Sequence, residues 1–67
     1  MYKNYYVNNN AQLNGDHEVH VEGCYYMPQS KKLLGSYNNC KDAVIEAKKT
    51  YRQSNGCAFC CPLCHTS

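Results

Sequence analysis

Cys57-Ala58-Phe59-Cys60-Cys61-Pro62-Leu63-Cys64-His65 gathers four of the chain's six cysteines and one of its three histidines into nine residues. It contains two consecutive C-x-x-C steps, Cys57 to Cys60 and Cys61 to Cys64. Each has the spacing of a knuckle, in which a tight turn aims two thiolates at one tetrahedral ion. A structural zinc site takes four ligands, with sulfur at about 2.3 Å and histidine nitrogen at about 2.0 Å. The tail could supply all four, but a site closed within so short a segment would tie nothing distant together. Cys24 is the distant partner, preceded by His20 in a His-x-x-x-Cys step. The spacing therefore assigns Zn2+ to Cys24, Cys57, Cys60 and Cys64, with His20 as first alternate and Cys61 or His65 behind it.

The length of the chain says why a staple is needed. The 67 residues make one domain, 1–67, and a chain of this size buries only about 60% of the surface it exposes when unfolded. Ordering costs roughly 1.5 kcal/mol per residue, which leaves apolar burial near balance unless a metal, disulfides or a partner adds to it. The apolar inventory is also thin: no tryptophan, one phenylalanine and seven tyrosines. Each tyrosine buries a ring but keeps a hydroxyl that needs water or a partner.

Six cysteines in so short a chain would mark a disulfide scaffold if it were secreted. The N-terminus, Met1-Tyr2-Lys3-Asn4-Tyr5-Tyr6-Val7, lacks the apolar stretch of a secretory signal. The expected location is the cytoplasm, where clustered cysteines serve as metal ligands or reactive thiols. No apolar run approaches the roughly 20 residues of a membrane span. Net charge is +2 and the sequence pI is near 8.2, short of the basicity of a nucleic-acid footprint.

Outward from the tail, the chain reads as α+β: a small antiparallel sheet of two or three strands, one helix and a C-terminal cysteine knuckle. Lys3 to Val7 is a short strand, and Asn14-Gly15 is a hairpin signal. Asp16 to Glu22 alternates, with His17, Val19 and Val21 on one face and Glu18, His20 and Glu22 on the other, as in a half-buried strand. Leu33 to Tyr37 is a third strand weakened by Gly35. Asn39 caps a helix predicted from Cys40 to Arg52, whose apolar face is Cys40, Ala43, Val44, Ala47 and Tyr51. Lys48, Lys49 and Arg52 close its last turn, and Gly56 suits the left-handed position after a helix. On that face Cys40 reads as a small core hydrophobe, and His17 as a partly buried, hydrogen-bonded histidine.

Tyr5-Tyr6-Val7-Asn8, Asn14-Gly15-Asp16-His17-Glu18-Val19-His20 with Gly23-Cys24, and Asn55-Gly56-Cys57 through Cys64-His65-Thr66 together resemble a group of very short, uncharacterised bacterial cysteine-rich proteins. That resemblance implies no activity. His20-x-x-x-Cys24, a helix and a late C-x-x-C also resemble the zinc-binding domain at the N-terminus of the Ada DNA-repair protein. This likeness implies zinc binding at Cys24, Cys57 and Cys60. It does not carry methyl transfer, because the flanking basic residues of that pattern are missing.

Neither a Ser/His/Asp arrangement nor paired carboxylates stand out, so the expected role is non-enzymatic: a zinc-stabilised binding module. Its expected partner is a protein, met through the tyrosine-rich strands or the Lys48, Lys49, Arg52 end of the helix. Nucleic acid is the less supported partner, since tyrosines can stack on bases but most often line a core. Two alternatives stand beside this reading. One is thiol chemistry, redox or alkyl acceptance, at a spare thiol such as Cys61. The other is a disulfide-stapled small protein outside the cell.

Overall fold

Asn14-Gly15 turns the chain as the sequence predicts. Gly15 takes φ +94°, a left-handed conformation that costs glycine nothing. Its N–H donates to the Gln12 carbonyl at 2.8 Å. The turn joins strand β1 (Lys3–Asn8) to strand β2 (His17–Val21). The two pair antiparallel in the register Tyr5↔Val21, Tyr6↔His20, Val7↔Val19. The computed structural model describes residues 1–66, and continues with strand β3 (Lys31–Tyr37), helix α1 (Cys40–Ala47), strand β4 (Ser54–Gly56) and a 3₁₀ turn at Pro62–Cys64. The fold is α+β.

The sheet has the order β3-β1-β2-β4. β3 pairs antiparallel with β1 across an irregularity: Tyr5 faces Gly35 and Tyr6 faces Leu33. Leu34 is the extra residue of this bulge, and it turns into the core while Leu33 stays exposed. Gly35 is the residue that lets the strand bulge, at φ +132°, where a side chain would be strained.

One face of the sheet carries the core. Tyr5, Val7, Val19 and Leu34 meet Ala43 and Ala47 of α1, with Cys61 of the tail beside them. The alanines let the helix approach the sheet closely. Asn39 caps it as predicted: its side chain oxygen accepts from the Asp42 N–H at 2.8 Å. No helix among the described residues is long and apolar enough to cross a membrane.

Three local expectations are corrected. The helix ends at Ala47, five residues early. Lys49 and Thr50 donate to carbonyls three residues back (Glu46 and Ala47) in a tightening turn. Tyr51 is drawn toward the sheet instead, where its ring stacks on His17 at 3.9 Å and its hydroxyl donates to Asn9. Ser54-Asn55-Gly56 does not stop the helix, which ends before it, and Gly56 is not left-handed. The segment forms β4, paired parallel to β2 with His17↔Ser54, Glu18↔Asn55 and Val19↔Gly56. Cys40 is not a free core hydrophobe, because it forms a disulfide with Cys64. That bond ties the first residue of α1 to the 3₁₀ turn across a sequence separation of 24, a loop whose closure is worth about 3.5 kcal/mol in the chain-entropy account.

Gly56 is required by the tail that crosses it. A Cβ built there would lie 2.7 Å from the Cys64 Cβ and 2.9 Å from the Cys61 carbonyl oxygen. Both neighbours are held by short connections, so neither can yield cheaply. Gly56→Ala is expected to destabilise the fold by about 2 kcal/mol, as overpacking does. In a chain of this size that lowers the thermal midpoint by roughly 10 °C. An unchanged midpoint in a thermal melt would mean that the tail does not pack on β4.

Candidate metal centre

Backbone pairing brings the candidate ligands together. His20 is the penultimate residue of β2. Cys24 follows in the turn after it, with its N–H donating to the Val21 carbonyl at 3.1 Å. Cys57 leaves β4 directly, and its N–H extends the parallel ladder by donating to the Val19 carbonyl at 2.9 Å. Cys60 closes the knuckle, whose turn is fixed by the Cys61 N–H on the Cys57 carbonyl at 2.8 Å. One ligand atom from each of His20, Cys24, Cys57 and Cys60 lies within 4.8 Å of all the others.

The distances suit a tetrahedral ion. Around zinc, the bond lengths above place ligand atoms about 3.5 to 3.8 Å apart along the tetrahedron's edges. His20 Nδ1 is 3.4 Å from the Cys24 Sγ and 3.9 Å from the Cys60 Sγ. Backbone donors reach the sulfurs as well: Val21 N–H to the Cys60 Sγ at 3.5 Å, and Phe59 N–H to the Cys57 Sγ at 3.4 Å. Such donors favour the thiolate. The group could therefore hold a metal ion.

The electrostatics divide the roles. His20 is 1% exposed, and desolvation pushes its pKa below the usual histidine range, partly offset by the nearby Glu18 carboxylate. The ring is thus neutral, as a metal ligand must be. Its Nδ1 faces the thiols, while Nε2 lies 3.5 Å from the Glu18 Oε1. Glu18 and His20 are two apart on one face of β2, so the strand itself sets a carboxylate behind the imidazole. Burial pushes the Cys60 thiol well above its ordinary range, with the neighbouring cysteines adding to the effect. Crowded, desolvated sulfurs resist ionising unless a cation sits among them.

The tail's other candidates go elsewhere. Cys24, Cys57 and Cys60 converge with the first alternate, His20, while the fourth cysteine of the assignment, Cys64, is bonded to Cys40. Cys61 is spare, and it is buried at 2% exposure in the core rather than presented to solvent. His65 turns its Nδ1 onto the Gly56 carbonyl at 3.0 Å and stays outside the cluster. The sequence undervalued His20 because alternation along β2 assigns it to the open face with Glu18 and Glu22. Cys57 and Cys60, leaving β4, close on His20 there. A three-residue strand of Ser, Asn and Gly has no periodicity to announce it, although the His20-x-x-x-Cys24 step was a usable signal.

The chain matches no protein-family model, no curated protein and no solved structure.

Proposed function

We propose that the protein is a small zinc-stabilised binding module. In it His20 Nδ1 and the thiolates of Cys24, Cys57 and Cys60 hold one structural Zn2+, and the domain so formed serves a protein partner rather than a reaction. The observation that carries this reading is the convergence of those four ligand atoms within 4.8 Å. Three thiolates and an imidazole are a borderline-soft donor set that suits zinc over the hard cations. Four protein ligands fill a tetrahedron, whereas catalytic zinc keeps a position open for water. Three of the four ligands are buried, and the ion would tie β2, the turn after it and the tail into one unit.

A second reading rests on the Cys40–Cys64 disulfide. A stable disulfide belongs to an oxidising compartment, while free thiols at Cys24, Cys57, Cys60 and Cys61 suit the cytoplasm expected from the sequence. Native mass spectrometry with a denaturing thiol count, on protein purified without reductant or added zinc, separates the two. One zinc per chain with four or six reduced thiols supports the module. No metal with three disulfides overturns it in favour of a disulfide-stapled protein outside the cell.

Two expected outcomes test the site itself. Chelation should unfold the domain, because apparent binding energies of structural zinc run to about 10 to 16 kcal/mol and are here folding energy. Loss of the far-ultraviolet circular dichroism signal on adding a strong chelator, restored by zinc, is the readout. Glu18→Gln should weaken zinc affinity about 10- to 100-fold, as loss of a carboxylate behind a ligating histidine does. Competition against a chromophoric chelator measures this, and unchanged affinity would remove Glu18 from the site.

A further inference from the structure

The two loops that carry three of the four proposed ligands also carry a cluster of exposed aromatic rings. Tyr25 and Tyr26 follow Cys24, and Phe59 lies inside the Cys57-to-Cys60 knuckle. Their relative exposures are 83%, 59% and 63%. The rings form a chain of edge contacts, Tyr25 to Tyr26 at 5.1 Å and Tyr26 to Phe59 at 5.2 Å between centroids. They stay largely exposed among the described residues, although burying them would help a domain so short of core. Beside their mutual contact, Tyr26 and Phe59 line an open recess of about 270 Å³ with Cys57, Ala58, Gln12 and Glu18.

Charge decides what such a recess accepts. Segments 4–30 and 53–66 build the ligand cluster and the aromatic surface, and they contain no lysine or arginine. They hold three of the five carboxylates, Asp16, Glu18 and Glu22. Asp16 is engaged by Gln53 and Asn55, and Glu22 accepts from the Asn4 N–H. Glu18, whose Oε1 also lies 3.5 Å from the His20 Nε2, is the carboxylate on the recess. With zinc bound, three thiolates around one dication would leave a net charge of about −1 on the cluster that Cys57 shares with the recess. Aromatic faces over negative charge attract cations. The fold already makes one such contact, with the Lys31 ammonium 5.7 Å from the Tyr6 ring centre.

We propose that the recess lined by Tyr26, Phe59 and Glu18 is a docking site for an arginine side chain of a basic protein partner, its guanidinium lying against the exposed side of the rings and facing the Glu18 carboxylate. This rests on the zinc module reading and names the partner chemistry for it. Arginine suits the recess better than lysine because its guanidinium is planar, stacks on aromatic faces and is weakly hydrated. A single-stranded nucleic acid could stack on the same rings, but its phosphates would lie against Glu18 and the negatively charged centre.

The test is a nuclear magnetic resonance titration of the full chain, with zinc content measured on the same sample. The probes are the peptide Gly-Arg-Gly-Arg-Gly and an eight-residue oligothymidine. The arginine peptide is expected to shift the Tyr26 and Phe59 ring resonances, and to bind about fivefold more weakly to Phe59→Ala. Tyr26→Ala, on the other loop, should weaken it similarly, with zinc content unchanged in both variants. A zinc-loaded chain that does not bind the peptide, binds it equally after both substitutions, or prefers the oligothymidine overturns the docking proposal alone. A chain without zinc overturns the reading beneath it, and the proposal with it.

Discussion

Three residue pairs between β2 and β4 decide where the rest of the molecule goes. A parallel pairing sends the chain out of β4 in the direction of β2, so Cys57 emerges beside His20 rather than at the far end of the strand. An antiparallel fourth strand would have carried the knuckle away toward His17. The pairing is held by more than its ladder. Asp16 accepts from Gln53 at 2.8 Å and from Asn55 at 3.3 Å, which locks the start of β4 to the β1–β2 turn. Asn55 in turn accepts from the Thr66 N–H at 3.0 Å, returning the end of the tail to the same strand.

From that pairing follow both the burial of His20 and the need for glycine at 56. β4 is short and carries small residues, so the tail can cross it closely, setting Cys61 and Cys64 against Gly56 and the apolar core. The result is a domain with two small adjoining interiors that meet at Cys60 and Cys61, whose sulfurs lie 3.9 Å apart. One is apolar, built from Val7, Val19, Leu34, Ala43 and Ala47. The other is the sulfur and imidazole cluster. A chain with no tryptophan and one phenylalanine cannot fill two apolar interiors, and polar groups with strong mutual chemistry take the place of the second.

The parts legible in the sequence are those governed by local rules. The first hairpin follows from Asn14-Gly15, the β2 core face from the alternation of Val19 and Val21, and the start of α1 from Asn39 and Asp42. The fate of each cysteine depended on long-range pairing that no spacing encodes. Cys57 and Cys60 could be placed as a knuckle because their turn is local. Cys24 could be named as the distant partner because the tail needs something to hold. Choosing between His20 and Cys64 required knowing where Cys57 and Cys60 meet β2, and β4 hides that in three residues with no hydrophobic pattern.

Cys40 and Cys61 show how far context governs a single residue type. The sequence places Cys40 on the apolar stripe of α1, as a small hydrophobe, and leaves Cys61 as the accessible thiol. Neither residue takes the role so assigned. Cys40 opens the helix at the edge of the core, within reach of the 3₁₀ turn, and bonds to Cys64. Cys61 follows Cys60 immediately, and the backbone directs the two neighbours differently: Cys60 to the His20 cluster, Cys61 into the apolar interior beside Tyr5, with the sulfurs 3.9 Å apart. Burial raises the pKa of the Cys61 thiol, so it is held as an uncharged, inert side chain that fills space. A reactive cysteine needs exposure and a stabilised thiolate. Cys61 has neither, and the tail is therefore a structural strap, pinned to the helix by sulfur on one side and joined to the sheet's ligand cluster on the other.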